Sequence, residues 1–185
     1  MKFIITYDNR TLDPNLTSGW GFSCLVDEDL LFDTGGDDRT LLSNMTKMGI
    51  DPAGIRTVVL SHAHGDHTGG LGALLGTGVR PTVYVPRSFP ARFQADVRSL
   101  TTLVEVHGPA EIQPGVHTTG EVGRGLVEQA LAVETGDGLV VVTGCAHPGV
   151  VKIVRRATES AGGEVYLVMG GCLLGGTSQR QGKAV

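Results

Sequence analysis

The sequence predicts an α/β (α+β) fold in which two mixed sheets are each covered by helices. Strand-like apolar runs alternate with helical periodicity through the first hundred residues, a strand-rich block follows, and a helix and a strand come after it. Glycine is abundant, 28 of 185 residues, which suits a loop-rich protein of this class. With 41% hydrophobic and 18% charged residues, the chain has enough apolar material for one domain with its own core. No linker or internal repeat divides it.

Lys2–Tyr7 and Gly21–Val26 read as strands, and Leu30–Asp33 as a third beyond the turn-like Asp27-Glu28-Asp29. Leu41, Leu42, Met45 and Met48 give Asp37–Met48 a helical period, with Asp37 or Asp38 as its cap. A strand over Arg56–Leu60 leads into a polar loop, and a short helix follows near Leu71–Leu75. Thr82–Val85 is a strand and Ser88–Leu100 a helix whose start Pro90 restricts. Thr102–His107, Gly115–Thr119, Leu126–Glu134 and Gly138–Thr143 are strands with glycine punctuation. Val150–Ser160 is helical, and Glu164–Met169 is extended.

A net charge of −4 argues against a nucleic-acid surface. The 15 lysines and arginines are spread along the chain rather than gathered into a clamp. Cys24, Cys145 and Cys172 are odd in number and far apart, so no disulfide framework is expected and a reducing cytoplasm is the default. The apolar run at the N-terminus is too short for a signal peptide. No segment approaches the ~20 apolar residues that cross a bilayer.

One segment carries chemistry. Ser61-His-Ala-His-Gly-Asp-His-Thr-Gly-Gly70 places His62, His64, Asp66 and His67 in six positions directly after the apolar run Thr57–Leu60. Side chains of these types are mostly exposed or individually paired in ordinary domains. Four sharing one loop would lose hydrating water together, and a divalent metal compensates for that loss. Imidazole and carboxylate favour zinc, with iron and manganese as alternatives, over calcium or magnesium. His62 and His64 are two apart and share a side only where the backbone is extended. That spacing fits a strand running into a loop, not a helix with ligands at i and i+4. Gly65 lets the chain fold over, and Asp66 and His67 present a second pair of ligands.

Gly144-Cys-Ala-His-Pro-Gly149 repeats the arrangement: an apolar strand, Leu139–Val142, ends in a glycine-framed loop that carries His147. A lone histidine is more often structural than a ligand. Two such strand-end loops facing one another reverse that expectation.

On the His-x-His-x-Asp-His of residues 62–67, on Leu31-Phe32-Asp33-Thr34-Gly35 and on His147, the chain resembles the metallo-β-lactamase superfamily. More narrowly, Trp20-Gly21-Phe22-Ser23 and the loops at residues 61–70 and 144–149 resemble the branch of 7,8-dihydropterin-6-methyl-4-(β-D-ribofuranosyl)-aminobenzene-5′-phosphate synthase. The resemblance implies an αββα sandwich over residues 1–177 with a polar tail over 178–185. It implies that His62, His64 and His147 hold a first metal, that Asp66 and His67 belong to a second, and that Asp33 orients the metal loop.

The branch pattern Gly-Gly-Phe-His-Leu stands here as Gly170-Gly-Cys-Leu-Leu174, so Leu173 replaces a histidine. The branch also continues to a Cys-His-Cys-Thr-Gly segment, so the fold is expected to lack the last elements. A shortened end would bare an apolar face that a homodimer contact covers. The second metal position then needs a further ligand. Cys145, Cys172, His107 and His117 are the candidates, and Cys172 adjoins the replaced histidine. The ordinary alternatives are a small buried cysteine and exposed loop histidines.

Together these expectations describe a metal-dependent hydrolase, with a metal-activated water acting on an ester- or phosphoester-type substrate and Asp66 orienting or deprotonating that water. The substrate is expected to be a small anionic molecule, and the branch implies a synthase-like reaction on a phosphate-bearing ribosyl compound. The alternative is a catalytically impaired relative that binds metal or a small ligand and has lost the second metal site.

Overall fold

In the computed structural model, which describes residues 1–171, eleven strands and five helices form four layers, helices on sheet on sheet on helix. The first sheet has the order β1 (Phe3–Tyr7), β2 (Ser23–Val26), β3 (Leu30–Phe32), β4 (Thr57–Val59), β5 (Thr82–Pro86), β6 (Leu103–Val106). Its first two pairings are antiparallel and the next three parallel, as expected where helices cross between strands. The second sheet runs β11 (Val165–Gly170), β10 (Gly138–Thr143), β9 (Leu131–Thr135), β8 (Val116–Thr118), β7 (Ala110–Gln113). Only the β10–β11 pair is parallel, because α5 (Val150–Ala161) crosses between them.

Period-two alternation sorts the core. Leu31 and Val58 face the helices α1 (Asp38–Lys47), α3 (Leu71–Gly76) and α4 (Ala91–Arg98), with Leu41, Met45, Leu74 and Val97 packed on them. Leu30, Phe32 and Val59 point the other way and meet Val116, Leu131, Val133, Val140 and Val142 of the second sheet. Ala132 and Val141 face outward from that sheet and bury Ile153 and Ala157 of α5. The expected two-sheet sandwich flanked by helices is the observed architecture.

Asp37 is the cap of α1, its carboxylate accepting from the backbone N–H of Thr40 at 2.9 Å. Three expectations need correction. Residues read as loop, Gly65–Thr68, form a one-turn helix, α2, because His67 N–H and Thr68 N–H both reach the His64 carbonyl. β7 was not expected: only four residues separate Pro109 from Pro114. The run Leu126–Glu134 is a strand only from Leu131 onward. Before that, Gln129 leaves the ladder and donates from its side chain to the Leu60 carbonyl, while its own N–H goes to the Ser61 carbonyl. This crossing ties the second sheet to the polar loop of the first. No helix among the described residues is long and apolar enough to cross a membrane.

Candidate metal centre

Three loops meet at one rim of the sandwich. Asp33 follows β3 and the Ser61–His67 loop follows β4, at the carboxyl ends of adjacent parallel strands, where α/β sheets open their ligand crevices. Gly144–Pro148 follows β10 of the other sheet.

Ring nitrogens of His62, His64 and His147 all lie within 4.8 Å of one another. Nε2 of His62 is 3.2 Å from Nδ1 of His64. Two nitrogens about 2.0–2.1 Å from one tetrahedral zinc would be about 3.4 Å apart, so the pair is spaced for a shared ion. His62 is fully buried, and its other nitrogen, Nδ1, is taken by the Ser61 hydroxyl at 2.8 Å. Burial, reinforced by His67, His147 and His64, pushes His62 down to about 2, so this imidazole is neutral and Nε2 is free to ligate. Burial and neighbouring histidines also lower His147. The donor set therefore fits a divalent metal of the zinc type.

Behind this group stands a buried anchor. The Asp33 carboxylate accepts from the Ser61 N–H at 2.6 Å, from the Ser61 hydroxyl at 2.7 Å and from His67 Nδ1 at 2.7 Å. Asp33 itself holds a positive φ of 55°, a conformation that costs a non-glycine residue. Its N–H donates to the Val59 carbonyl, and its own carbonyl accepts from the Ser23 hydroxyl, so both flanks are held. Asp33 thus orients the loop, and the helix cap is Asp37.

With Nδ1 engaged, His67 turns Nε2 toward the Cys145 sulfur at 3.1 Å and an Asp66 carboxylate oxygen at 3.5 Å. Burial opposes a charge on His67, but the charge and hydrogen bond of Asp33 outweigh it and, with Cys145, raise the metal-free imidazole to about 11. Asp66 is partly open to solvent, at 22%. The Trp20–Gly21 segment lies directly over it: a Cβ on Gly21, whose φ is +138°, would fall 2.1 Å from the Asp66 carbonyl oxygen. Only glycine fits there.

Sequence reasoning missed one anchor of the third loop. Glu128 is fully buried, and its two oxygens accept from the N–H groups of Ala146 and His147, each at 3.0 Å, and from the Thr143 hydroxyl at 3.1 Å. Burial raises this carboxyl despite those donors. The available signal was a carboxylate and an amide, Glu128-Gln129, interrupting an apolar run. Ala146 completes the turn with a φ of 58°.

The expected ligands His62, His64, Asp66, His67 and His147 therefore converge on one rim. Of the candidates for a further ligand, Cys145 joins them: His62, His67 and Cys145 form a second, buried grouping. Cys172 lies outside the described residues. His107 pairs with Glu121 at 3.0 Å, and His117 with Glu134 at 2.7 Å. His117 is a strand residue of β8 and only 16% exposed, not an exposed loop residue, because its imidazole crosses to β9. Neither histidine belongs to a ligand grouping among the described residues.

Two sheets packed between helices, with candidate metal ligands at one rim, define the class, and the chain belongs to the metallo-beta-lactamase superfamily, whose family model matches residues 24–169. It is 29% identical over 188 residues to 7,8-dihydropterin-6-methyl-4-(beta-D-ribofuranosyl)-aminobenzene-5'-phosphate synthase of Methanocaldococcus jannaschii, covering 77% of this chain and 64% of that protein. The chain thus spans less than two thirds of that relative. A solved metal-dependent hydrolase of the beta-lactamase superfamily superposes with a TM-score of 0.79 at 28% identity, covering 97% of this chain and 79% of its own. An N-acyl homoserine lactone hydrolase shares the fold at 16% identity and a TM-score of 0.56, with 91% of this chain and 92% of that chain covered.

Proposed function

We propose that this chain is a metal-dependent hydrolase acting on a small anionic ester or phosphoester. The observation that carries the reading is the convergence of His62, His64 and His147 within 4.8 Å, each loop braced by a buried carboxylate, Asp33 or Glu128. A zinc-type ion held there would supply a Lewis acid and bring the pKa of a water toward about 7. Three protein ligands leave a coordination position open, as hydrolytic zinc sites do.

The chain's own groups account for the remaining requirements. Asp66, partly exposed beside His67, would orient the attacking water and take its proton. Arg124 and Lys152 line an open cavity of about 460 Å³ together with His147, Gly123, Leu126 and Pro148. Two cations beside a ligand histidine suit an anionic substituent on the substrate and would hold its reacting bond at the rim. The resemblance to the Methanocaldococcus synthase supports a finer form of the same reading, in which that anion is a phosphate on a ribosyl group.

The test measures bound metal per chain together with turnover of aryl esters, phosphomonoesters and phosphodiesters by the zinc-loaded protein. Activity that rises with bound zinc and falls at least a hundredfold in His62→Ala is expected. Full activity in His62→Ala overturns the reading. Metal bound without turnover on any of these classes favours a binding protein instead.

A further inference from the structure

We propose that Gln129 is a positioning residue of the metal centre, and that with its neighbour Glu128 it sets where His147 stands against His62 and His64. The proposal rests on the metal-centre reading above and says what holds the two halves of that centre in register.

The halves come from different sheets. His62 and His64 follow β4, whereas His147 follows β10. The His147 ring centroid nevertheless lies 4.9 Å from that of His62 and 5.0 Å from that of His64. Between the sheets the contact is apolar, with Phe22, Phe32 and Val59 against Leu131, Val133 and Val142. Such contact is non-directional. A ligand site must be held to within about 0.5 Å of its working geometry, so the rim needs directional ties as well.

Glu128 and Gln129 supply them at two successive residues. Glu128 serves the second sheet's loop, accepting from the N–H groups of Ala146 and His147. Gln129 serves the first sheet. Its backbone N–H donates to the Ser61 carbonyl at 2.9 Å, and its side-chain amide donates to the carbonyls of Leu60 at 2.9 Å and Tyr84 at 3.3 Å. Leu60 and Ser61 directly precede His62, and the Ser61 hydroxyl holds His62 Nδ1 at 2.8 Å. The path from one ligand loop to the other thus runs through a single peptide unit and the two side chains beside it.

Gln129 has no freedom of its own. It is fully buried, and its Oε1 accepts from the Thr118 hydroxyl at 2.7 Å. The position demands an amide: a carboxylate cannot donate to the two carbonyls, and a hydrocarbon can neither donate nor accept. A residue that merely filled this space would be apolar, since burying polar groups gains nothing over burying hydrocarbon.

The test compares two variants of the full-length chain. Gln129→Met keeps the volume and removes the side-chain bonds, whereas Val116→Ala loosens the same inter-sheet core without touching the tie. Zinc affinity by chelator competition is expected to fall about 10–100-fold in Gln129→Met, as when other supports of a ligand are lost, and to stay within about twofold in Val116→Ala. The visible bands of bound cobalt(II), which report ligand geometry, are expected to shift in Gln129→Met and not in Val116→Ala. Unchanged affinity or unchanged bands in Gln129→Met overturn the proposal. So does an equal loss of affinity in Val116→Ala, which would leave Gln129 a stabilising residue only. A wild type that binds neither zinc nor cobalt overturns the metal-centre reading and the proposal with it. The expected pattern of binding without hydrolysis overturns the hydrolase reading alone. Should Gln129→Met fail to fold, amide exchange in the wild type decides. Coupling is reciprocal, so an ion that depends on the tie also tightens it. Saturating zinc is expected to slow exchange of the Gln129 N–H at least tenfold more than that of Val133 in β9, and equal slowing refutes the proposal.

Discussion

The Asp33 carboxylate receives Nδ1 of His67 at 2.7 Å, with both side chains 1% exposed or less, and so fixes the direction in which His67 presents its other nitrogen. Chain order alone places them 34 residues apart, and the parallel pairing of β3 with β4 brings them together. Removing Asp33 strands a buried imidazole and the Ser61 N–H at once. Asp33→Ala is expected to cost the metal-free protein about 3–5 kcal/mol, the range for breaking a buried pair. Asp33→Asn keeps the volume and is expected to weaken metal binding about 10–100-fold, the usual effect of losing a ligand-orienting carboxylate. Chelator-competition titration and thermal melts read the two effects separately.

Glu128 does for His147 what Asp33 does for His67, but through the backbone. Its oxygens fix the N–H groups of Ala146 and His147, so Glu128→Gln places an amide N–H₂ against a backbone donor. Metal affinity at the three-histidine site is expected to fall about 10–100-fold with little change in overall fold. Glu128→Ala leaves the buried Thr143 hydroxyl and two partly buried N–H groups without their acceptor and is expected to cost about 1–3 kcal/mol in all. Circular dichroism melts of the two variants beside zinc titration distinguish displacement from unfolding.

Much of this was legible in the chain because side-chain periodicity and ligand density are local signals. The alternation that sends Leu31 inward to the helices and Phe32 to the other sheet is visible in residues 30–33, and the His-rich loop in residues 61–67. Asp33 and His147 were legible through the motif they belong to. What escaped was non-local. Glu128 sits in an apolar run, and its partners are 15 to 19 residues away, so nothing near it marks it as an anchor. Cys145 was one candidate of four until the packing of β10 against the first sheet set it beside His67, 78 residues earlier. Gln129 misled the strand assignment for the same reason: its hydrogen bonds leave its own ladder for residues 60 and 61.

Gly144 stands where the two loops come closest. A Cβ there would lie 2.3 Å from the Ser61 hydroxyl oxygen and 2.9 Å from a Glu128 oxygen, both in fixed, buried networks. Neither neighbour is the free end of a flexible chain, so relief must come from moving a loop. Gly144→Ala is expected to destabilise the fold by about 1–3 kcal/mol, the range for overpacking. It is also expected to weaken zinc binding through His147. Gly65→Ala is the control: its Cβ meets nothing within 4 Å, and it is expected to leave zinc binding unchanged. Equal zinc affinities in the two variants would contradict the assignment.

Tyr7 and Asp37 make the fold sensitive to pH at both extremes. The Tyr7 hydroxyl donates to Asp37 at 2.7 Å, joining β1 to the cap of α1. Burial, then the Asp37 hydrogen bond and charge, raise Tyr7 to about 12 from an ordinary 10.0. The Thr40 N–H, followed by the Tyr7 hydroxyl, lowers Asp37 below 3.8. The signs differ. A raised tyrosine contributes stability that is fully present below pH 10.0 and lost as pH climbs toward about 12. A lowered aspartate contributes stability that is present above pH 3.8 and lost as pH falls through its folded value. In spectrophotometric titration of the folded wild type, one of the three tyrosines is therefore expected to ionise near pH 12, and Tyr7→Phe is expected to remove that step. Asp37→Asn should flatten the acid limb of the melting-temperature profile while leaving neutral stability within about 1 kcal/mol, since asparagine also caps helices well. An unchanged acid limb in Asp37→Asn, or a late step that persists in Tyr7→Phe, would break the link between this pair and the pH response.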